Sequence, residues 1–361
     1  MKTPNRGPFE YFLNLSKELR ISLNEIRLMF KQVIRAFFVA SFIALWGCEG
    51  ESEPSPINNS TGNNTTTGNN TTPTTPTTPT DPVLSELPEG MPTKGCFATD
   101  LQLELSGAVT DKQSYKLSYD KYNRIVKSES TLLQFPSVTT YTYAKGKVTV
   151  EQVATVAGGT KVNTTINYKL DDKNRFAEAE YVTKSTAQGK ETVSKTNYFY
   201  KYDADGYLIE TKSETDSKVT ETQKHTWEGG NLVKTEVLSH NNPSNRYDKY
   251  SVVLLYEFDK SKNNTWDVNG ATGAVLSPSV AYFGKANKNM FTRFQTITEW
   301  AISSPIAINN KTTTISDYKY TYNSSGYPTT FEVNTNSKVE GSFPVAIPSV
   351  KIVGTIKYDC K

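Results

Sequence analysis

The sequence predicts an all-β fold: an antiparallel up-and-down meander of hairpin repeats, curled or closed into a barrel-like sheet. Three observations predict it. A short phrase of alternating aromatics, a turn and a second apolar run recurs from about residue 115 to residue 328. Tyr and Thr are abundant and Met is scarce, a composition that favours strands. Two cysteines bracket the repeated region, Cys96 just before the first strand pattern and Cys360 just after the last.

Residues 1–28 are amphipathic, with Phe12, Leu15, Leu19 and Leu23 at helical spacing. From Met29 a short basic region through Arg35 leads into the apolar run Ala36–Leu45 and then Trp46-Gly47-Cys48. A positive end, a short apolar run and a small residue before a cut make a secretory signal, and the run is too short for a spanning helix, which needs about 20 residues. Either translation starts at Met29 or the signal has an unusually long basic end. Leu45-Trp46-Gly47-Cys48 resembles the lipobox of bacterial lipoproteins, in which the cysteine is lipidated and becomes the first residue of the mature chain. Residues 1–48 are therefore expected to be a signal peptide with Cys48 as the lipidation site. Glu49, Glu51 and Glu53 follow; they read either as a solvated charge cluster or as a resemblance to the export signal of surface lipoproteins.

Residues 49–92 are rich in Asn, Thr, Gly, Ser and Pro, including Thr71-Thr72-Pro73-Thr74-Thr75-Pro76. Such a stretch has no apolar surface to offset ordering and is expected to be a disordered tether. At ~3.1 Å per residue in its Pro-rich part it could hold a domain up to roughly 100 Å from its anchor.

The domain expected over residues 93–361 carries the repeats. The clearest runs from Tyr198 to Glu210, with Tyr198, Tyr200 and Tyr202 on one strand face and an Asp203-to-Gly206 turn. Copies begin at Tyr115, Tyr141, Ile166, His225 and Tyr318, most of them about 24 to 32 residues apart. Asp203 and its counterparts can accept backbone N–H bonds, while Asn123, Asn174, Gly206 and Gly326 tolerate positive φ at the turn exit. Each phrase is thus strand, turn, strand. A meander of about a dozen or more strands must curl, close or cover its edges. With Cys48 lipidated in an oxidising compartment, Cys96 and Cys360 remain as a pair, and a disulfide between them would join the two ends of the domain.

The interval breaks between Phe258 and Tyr318, where Trp266, Leu276-Ser277-Pro278-Ser279 and Phe283-Gly284-Lys285-Ala286-Asn287-Lys288-Asn289 replace a regular hairpin. This is either where function sits or a helix or loop plugging one end of the sheet. Trp266, Tyr282 and Trp300, around this segment, are the candidate ligand contacts.

Chemistry is sparse. The only histidines are His225 and His240, and no Cys/His cluster, nucleophile elbow or phosphate loop occurs. No catalytic residue, metal ligand or cofactor is assigned. Asp203-Ala204-Asp205-Gly206 resembles half a calcium loop but lacks the later ligands. Removing the seven Lys/Arg and three Asp/Glu that precede Cys48 from the totals of 40 and 37 leaves 33 basic and 34 acidic residues. With no basic surplus, nucleic acid is not an expected partner.

The Tyr-Asp-x-x-Gly/Asn phrases resemble the YD repeats of bacterial surface proteins. Together with the lipobox, the tether, Trp227-Glu228-Gly229-Gly230-Asn231-Leu232 and Phe283–Asn289, they resemble a family of bacterial lipoproteins with a porin-like β domain of unknown function. The resemblance spans roughly residues 100–360 and implies an outer-membrane, lipid-anchored protein, facing either the cell exterior or the periplasm. It carries no activity over. Three functions stay open: a non-enzymatic binding module for a glycan, peptide or protein, a carboxylate-based hydrolase, and a purely structural or adhesive module.

Overall fold

The computed structural model describes residues 87–88, 95–107, 110–132, 135–156, 160–187, 190–240, 249–264, 280–302, 308–342 and 346–360. The leader, Cys48, most of the tether and Trp266 lie outside the described residues. The strands are β1 (Cys96–Gly107), β2 (Asp111–Tyr119), β3 (Ile125–Leu132), β4 (Phe135–Ala144), β5 (Lys147–Val156), β6 (Thr160–Leu170), β7 (Phe176–Ala187) and β8 (Lys190–Tyr202). They continue as β9 (Leu208–Thr215), β10 (Lys218–Glu228), β11 (Asn231–Ser239), β12 (Lys249–Asn263), β13 (Asn289–Ile302), β14 (Ile308–Tyr322), β15 (Pro328–Gly341) and β16 (Ala346–Cys360). Each pairs with its sequence neighbours, and β1 pairs antiparallel with β16, so the sheet is a closed barrel. Closure removes the edge strands that an open meander would expose.

The phrase turns have one geometry. Asp120, Asp171 and Asn323 each accept two backbone N–H bonds on Oδ1, as in Arg175 N to Asp171 Oδ1 at 2.8 Å, and Asp203 Oδ1 accepts from Tyr207 N at 2.8 Å. The exit residues Asn123, Asn174, Gly206 and Gly326 have φ of 61°, 59°, 95° and 83°, the left-handed region that Gly and Asn tolerate. All these turns lie at the end of the barrel where the Cys96–Cys360 disulfide ties β1 to β16.

Side chains alternate along the strands, apart from bulges near several turns. On β6, Thr164, Ile166 and Tyr168 are buried inside while Lys161, Asn163 and Lys169 are exposed outside. The outer face carries ion pairs between neighbouring strands around the barrel, including Lys112–Glu104 at 2.7 Å, Lys169–Glu178 at 2.6 Å and Lys351–Glu332 at 2.7 Å. Inside, one apolar cluster draws on β1, β2 and β13–β16, and a second on β3–β9 and β11; Tyr256 packs against both.

The interior is also graded along its axis. From the far rim toward the turn end, the inward positions of β14 read Asn310, Thr312, Thr314, Ser316, Tyr318, Tyr320, Tyr322. The hydroxyls pair across strands, as in Ser316–Thr335 at 3.0 Å and Thr314–Ser337 at 2.8 Å, while the aromatics pack.

The break in the repeat forms a plug. A 3-10 helix, Val280–Phe283, enters the turn end and seats Tyr282 and Phe283 on Phe176, with ring centroids 5.2 and 4.8 Å away. Asparagine side chains then substitute for backbone partners. Leu232 N donates to Asn287 Oδ1 at 2.7 Å, Asn289 N donates to Asn231 Oδ1 at 2.9 Å, and Asn264 Nδ2 donates to the Asn287 carbonyl at 3.0 Å. The Gly229–Leu232 and Phe283–Asn289 stretches are thereby bonded to each other. Of the two readings of the irregular segment, its described part is the plug.

Two outcomes are expected. Replacing Cys96 and Cys360 with Ser should lower the urea-unfolding free energy by about 2–5 kcal/mol, an effect reproduced by reductant on the unaltered chain; equal midpoints with and without reductant would remove the disulfide from the closure of the barrel. Asn287→Ala strands the buried Leu232 N–H and should cost about 1–3 kcal/mol, against less than about 0.5 kcal/mol for the exposed Asn263→Ala, both read in the same unfolding assay.

Candidate ligand-binding rim

The three candidate contacts fall in different places. Trp266 is outside the described residues. Tyr282 belongs to the plug and is only 1% exposed, stacked on Phe176 and Tyr143. Trp300 is near the end of β13 at the rim opposite the plug, where it is half-buried.

Pairing surrounds Trp300 with residues that no local motif marks. Tyr250 on β12 lies directly opposite it on one side, Asn310 on β14 on the other, and Gly341 on β15 lies opposite Asn310. Directly paired residues share a sheet face, so Tyr250, Trp300 and Asn310 form one row ending at a glycine. Tyr250 is 41% exposed, whereas Asn310 is 7% exposed. Gly341 has φ of 124°, and a Cβ there would meet the Asn309 carbonyl at 2.0 Å and Asn310 Oδ1 at 2.8 Å. The absence of a side chain lets the β14 backbone approach closely here.

A pocket of about 340 Å³ opens at this rim, lined by the outward positions Glu299, Ala301, Asn309, Lys311 and Glu340 and by Trp300, Asn310 and Gly341 beside them; Tyr250 is not part of it. Glu299, Lys311 and Glu340 form a row that alternates acid, base, acid across three strands, with Lys311 Nζ 3.5 Å from Glu299. A hydrogen bond from Lys338 and its charge hold the Glu340 carboxyl below its ordinary pKa. Among the described residues, no group of three or more His, Cys, Asp or Glu could hold a metal ion.

Two other ionisable sites serve the scaffold. Asp171 binds Arg175 at 2.8 Å, and Arg175 lies 4.0 Å over the Tyr202 ring. His225 is 6% exposed, with Nδ1 3.0 Å from the Thr235 hydroxyl and Nε2 3.3 Å from that of Thr211. Burial lowers its pKa from 6.5 to about 4. His225 thus sits neutral among hydroxyls, with no carboxylate partner to make it a base.

No model of a protein family matches the chain, and no curated protein matches it. Solved structures do resemble it. One is a porin-like protein from Bacteroides uniformis, with a TM-score of 0.45 and 14% identity over 72% of this chain and 98% of that one. Another is a porin-like protein from Bacteroides vulgatus, with a TM-score of 0.42 and 12% identity over 73% of this chain and 98% of that one. The barrel here is established by its own strand pairing.

The geometry of His225 fixes a pH response. Its folded pKa lies below the unfolded one, so the unfolded chain takes up the proton first as pH falls. Stability should therefore decline from about pH 6.5 to about pH 4, by up to about 3 kcal/mol from this group. His225→Gln keeps a neutral hydrogen-bonding side chain and should flatten that part of the stability–pH curve; equal slopes for both proteins would show that His225 is not the group responsible.

Proposed function

We propose that this chain is a lipid-anchored outer-membrane protein whose barrel works in water, on the cell exterior, as a non-enzymatic binding module. One observation carries the reading: the barrel wears its charges outside and its apolar residues inside. A barrel that spans a bilayer shows the reverse, an outward apolar band about 25 Å tall around a polar lumen. Here Lys112, Lys169 and Lys351 with their Glu partners occupy the outer face, and in lipid each would bear the desolvation cost of a charge at membrane depth. Exposed pairs of this kind add only about 0–1 kcal/mol each to stability; their meaning lies in the solvent they require.

No helix of the described residues is long and apolar enough to cross a membrane, and attachment rests instead on Cys48 and the tether. The turn end is filled by the plug, Cys96 and Cys360, which leaves the Trp300 rim as the end free to meet a ligand.

The test separates anchor from barrel. A specific protease site inserted between Thr71 and Thr78 should let cleavage of washed membranes release the barrel into detergent-free buffer; a barrel that stays with the membrane after complete cleavage would sink the water-facing reading. Cys48→Ala should abolish incorporation of labelled palmitate. Cleavage by the same protease added outside intact cells tests the exterior placement, and protection there would move the barrel to the periplasmic side.

A further inference from the structure

We propose that the outward face of β11–β15 is an interface for a second copy of this chain, related to the first by a two-fold axis that lies in the interface and runs across the strands. The inference stands beside the binding-module reading and does not rest on it.

This face departs from the charged outer wall around it. Phe294, Thr314 and Ser316 are buried, and Leu254 and Tyr256 pack on the inner cluster. Their neighbours in sequence, Val253, Leu255, Ile297 and Ile315, therefore point outward. Pairing sets Val253 opposite Ile297, and places Leu255 and Ile315 on either side of Gln295 in the adjacent row. These four half-buried aliphatic side chains form one island, with Leu238, 43% exposed, beside it on β11. Ion pairs surround the island. Lys234 and Glu236 lie 2.9 Å apart on β11, Lys311 and Glu299 3.5 Å apart toward the far rim, Arg293 and Asp317 2.6 Å apart toward the turn end, and Lys338 and Glu340 pair on β15. An apolar centre inside a polar rim is the anatomy of a protein–protein contact. The outward Val353, by contrast, has Glu104 opposite it on one side and Glu332 on the other.

The charges point to the occupant. An axis over the row Thr235, Leu254, Thr296, Thr314 makes each outward residue meet the position equally far along the same strand on the other side. Arg293 then faces Glu299 of the second copy, Lys311 faces its Asp317, Lys234 faces its Glu236 and Val253 faces its Leu255. On β15, Lys338 and Glu340 face Asn336 and Asn334, so no direct opposition sets like charges together. The Arg293–Asp317 pair of one copy meets the Glu299–Lys311 pair of the other as a four-charge network, with the existing pairs kept. A patch that complements itself under a two-fold is what an isologous interface requires, and Arg, Lys and Glu are long enough to absorb the twist of aligned sheets. A membrane or polyanion would meet both signs of charge at once, and the closed barrel has no edge for an added strand. The patch covers roughly 650 Å² at the strand and residue spacings of a sheet, below the ~800 Å² per partner of a standard interface. The dimer is therefore a weak, reversible one.

The experiment is sedimentation equilibrium of the full-length protein in density-matched neutral detergent, up to about 1 mM protein. A monomer–dimer equilibrium with Kd of about 10 µM to 1 mM is expected. Arg293→Glu and Glu299→Lys each set like charges against each other twice across the axis, and each should weaken association by about tenfold or more. An equimolar mixture of the two variants should restore it. In the mixed dimer the two altered positions meet with opposite charge, and the unaltered Glu299 and Arg293 still meet. Ile297→Lys, which puts a charge into the island, should also dissociate the dimer. Near-UV circular dichroism and the unfolding midpoint confirm that each variant is folded; should a charge variant fail that check, Lys234→Glu and Glu236→Lys with their mixture decide. Sharing of a detergent micelle would leave all samples alike. That result, a mixture that associates no more strongly than its components, or Ile297→Lys associating like the unaltered chain would each overturn the proposal. A chain that stays monomeric throughout would overturn it too, and would leave the island to a different protein or to none.

Discussion

The barrel depends on how its turn end is stitched. Turns at this end join β2 to β3, β6 to β7 and β8 to β9, leaving the gaps between β1 and β2, β3 and β4, and β7 and β8 without a covalent link there. Those gaps are closed by the last aromatic of a strand donating to a carbonyl near the start of the strand before it. Tyr119 donates to Ala98 O at 2.8 Å, Tyr143 to Ile125 O at 2.7 Å and Tyr202 to Phe176 O at 2.9 Å. Trp227 does the same to Leu208 O at 2.8 Å and Tyr358 to Pro328 O at 2.7 Å. Between β16 and β1 the disulfide stands where a turn would. Turn and latch alternate around much of the ring, and each latch works only in one register, since a slip by one residue would turn the aromatic to the outer face. Burial raises the pKa of Tyr143 and Tyr202 well above the ordinary value, so the hydroxyls stay protonated and keep donating.

This gives the Tyr-Asp phrase a physical meaning. The tyrosine latches backward to the preceding strand and the aspartate closes the turn forward to the next, so two adjacent residues hold three strands together. Where β12 gives way to β13 the phrase is absent and the chain instead delivers the plug. Buried asparagines, Asn231, Asn264, Asn287 and Asn289, do there what the turn aspartates do elsewhere, supplying partners for backbone groups that have left the ladder. Leaving such groups unpaired inside a barrel would cost about 1–3 kcal/mol each.

Much of the scaffold was legible in the sequence because its rules are local. Alternation of Tyr198, Tyr200 and Tyr202 gave a strand face, Asp203 to Gly206 gave a turn, and the positions of Cys96 and Cys360 implied the closure that their disulfide makes. Strands outside the phrases, such as β15 with its Asn and Ser positions, carry weaker signals, so the sequence bounded the number of strands only from below. The rim was not legible. Trp300 could be singled out as a large aromatic, but Tyr250 and Asn310 join it only through the registers of β12, β13 and β14, and register at that rim is a property of the paired strands, not of any one segment. Gly341 carried no turn signature; its role appears only when its missing Cβ is set against the Asn309 carbonyl.

The two ends of the barrel therefore answer to different constraints. At the latched end the latch hydroxyls, the turn Asp and Asn residues and the plug asparagines have structural tasks, and substitution there disturbs register or leaves a buried group unpaired. Along β14 the interior changes from Tyr318, Tyr320 and Tyr322 to Thr314, Thr312 and finally Asn310, so the need for apolar packing relaxes toward the far rim. A closed sheet transmits the stability of the stitched end along its ladder without requiring particular side chains at the other. That lets the rim hold Tyr250 and Trp300 partly in solvent.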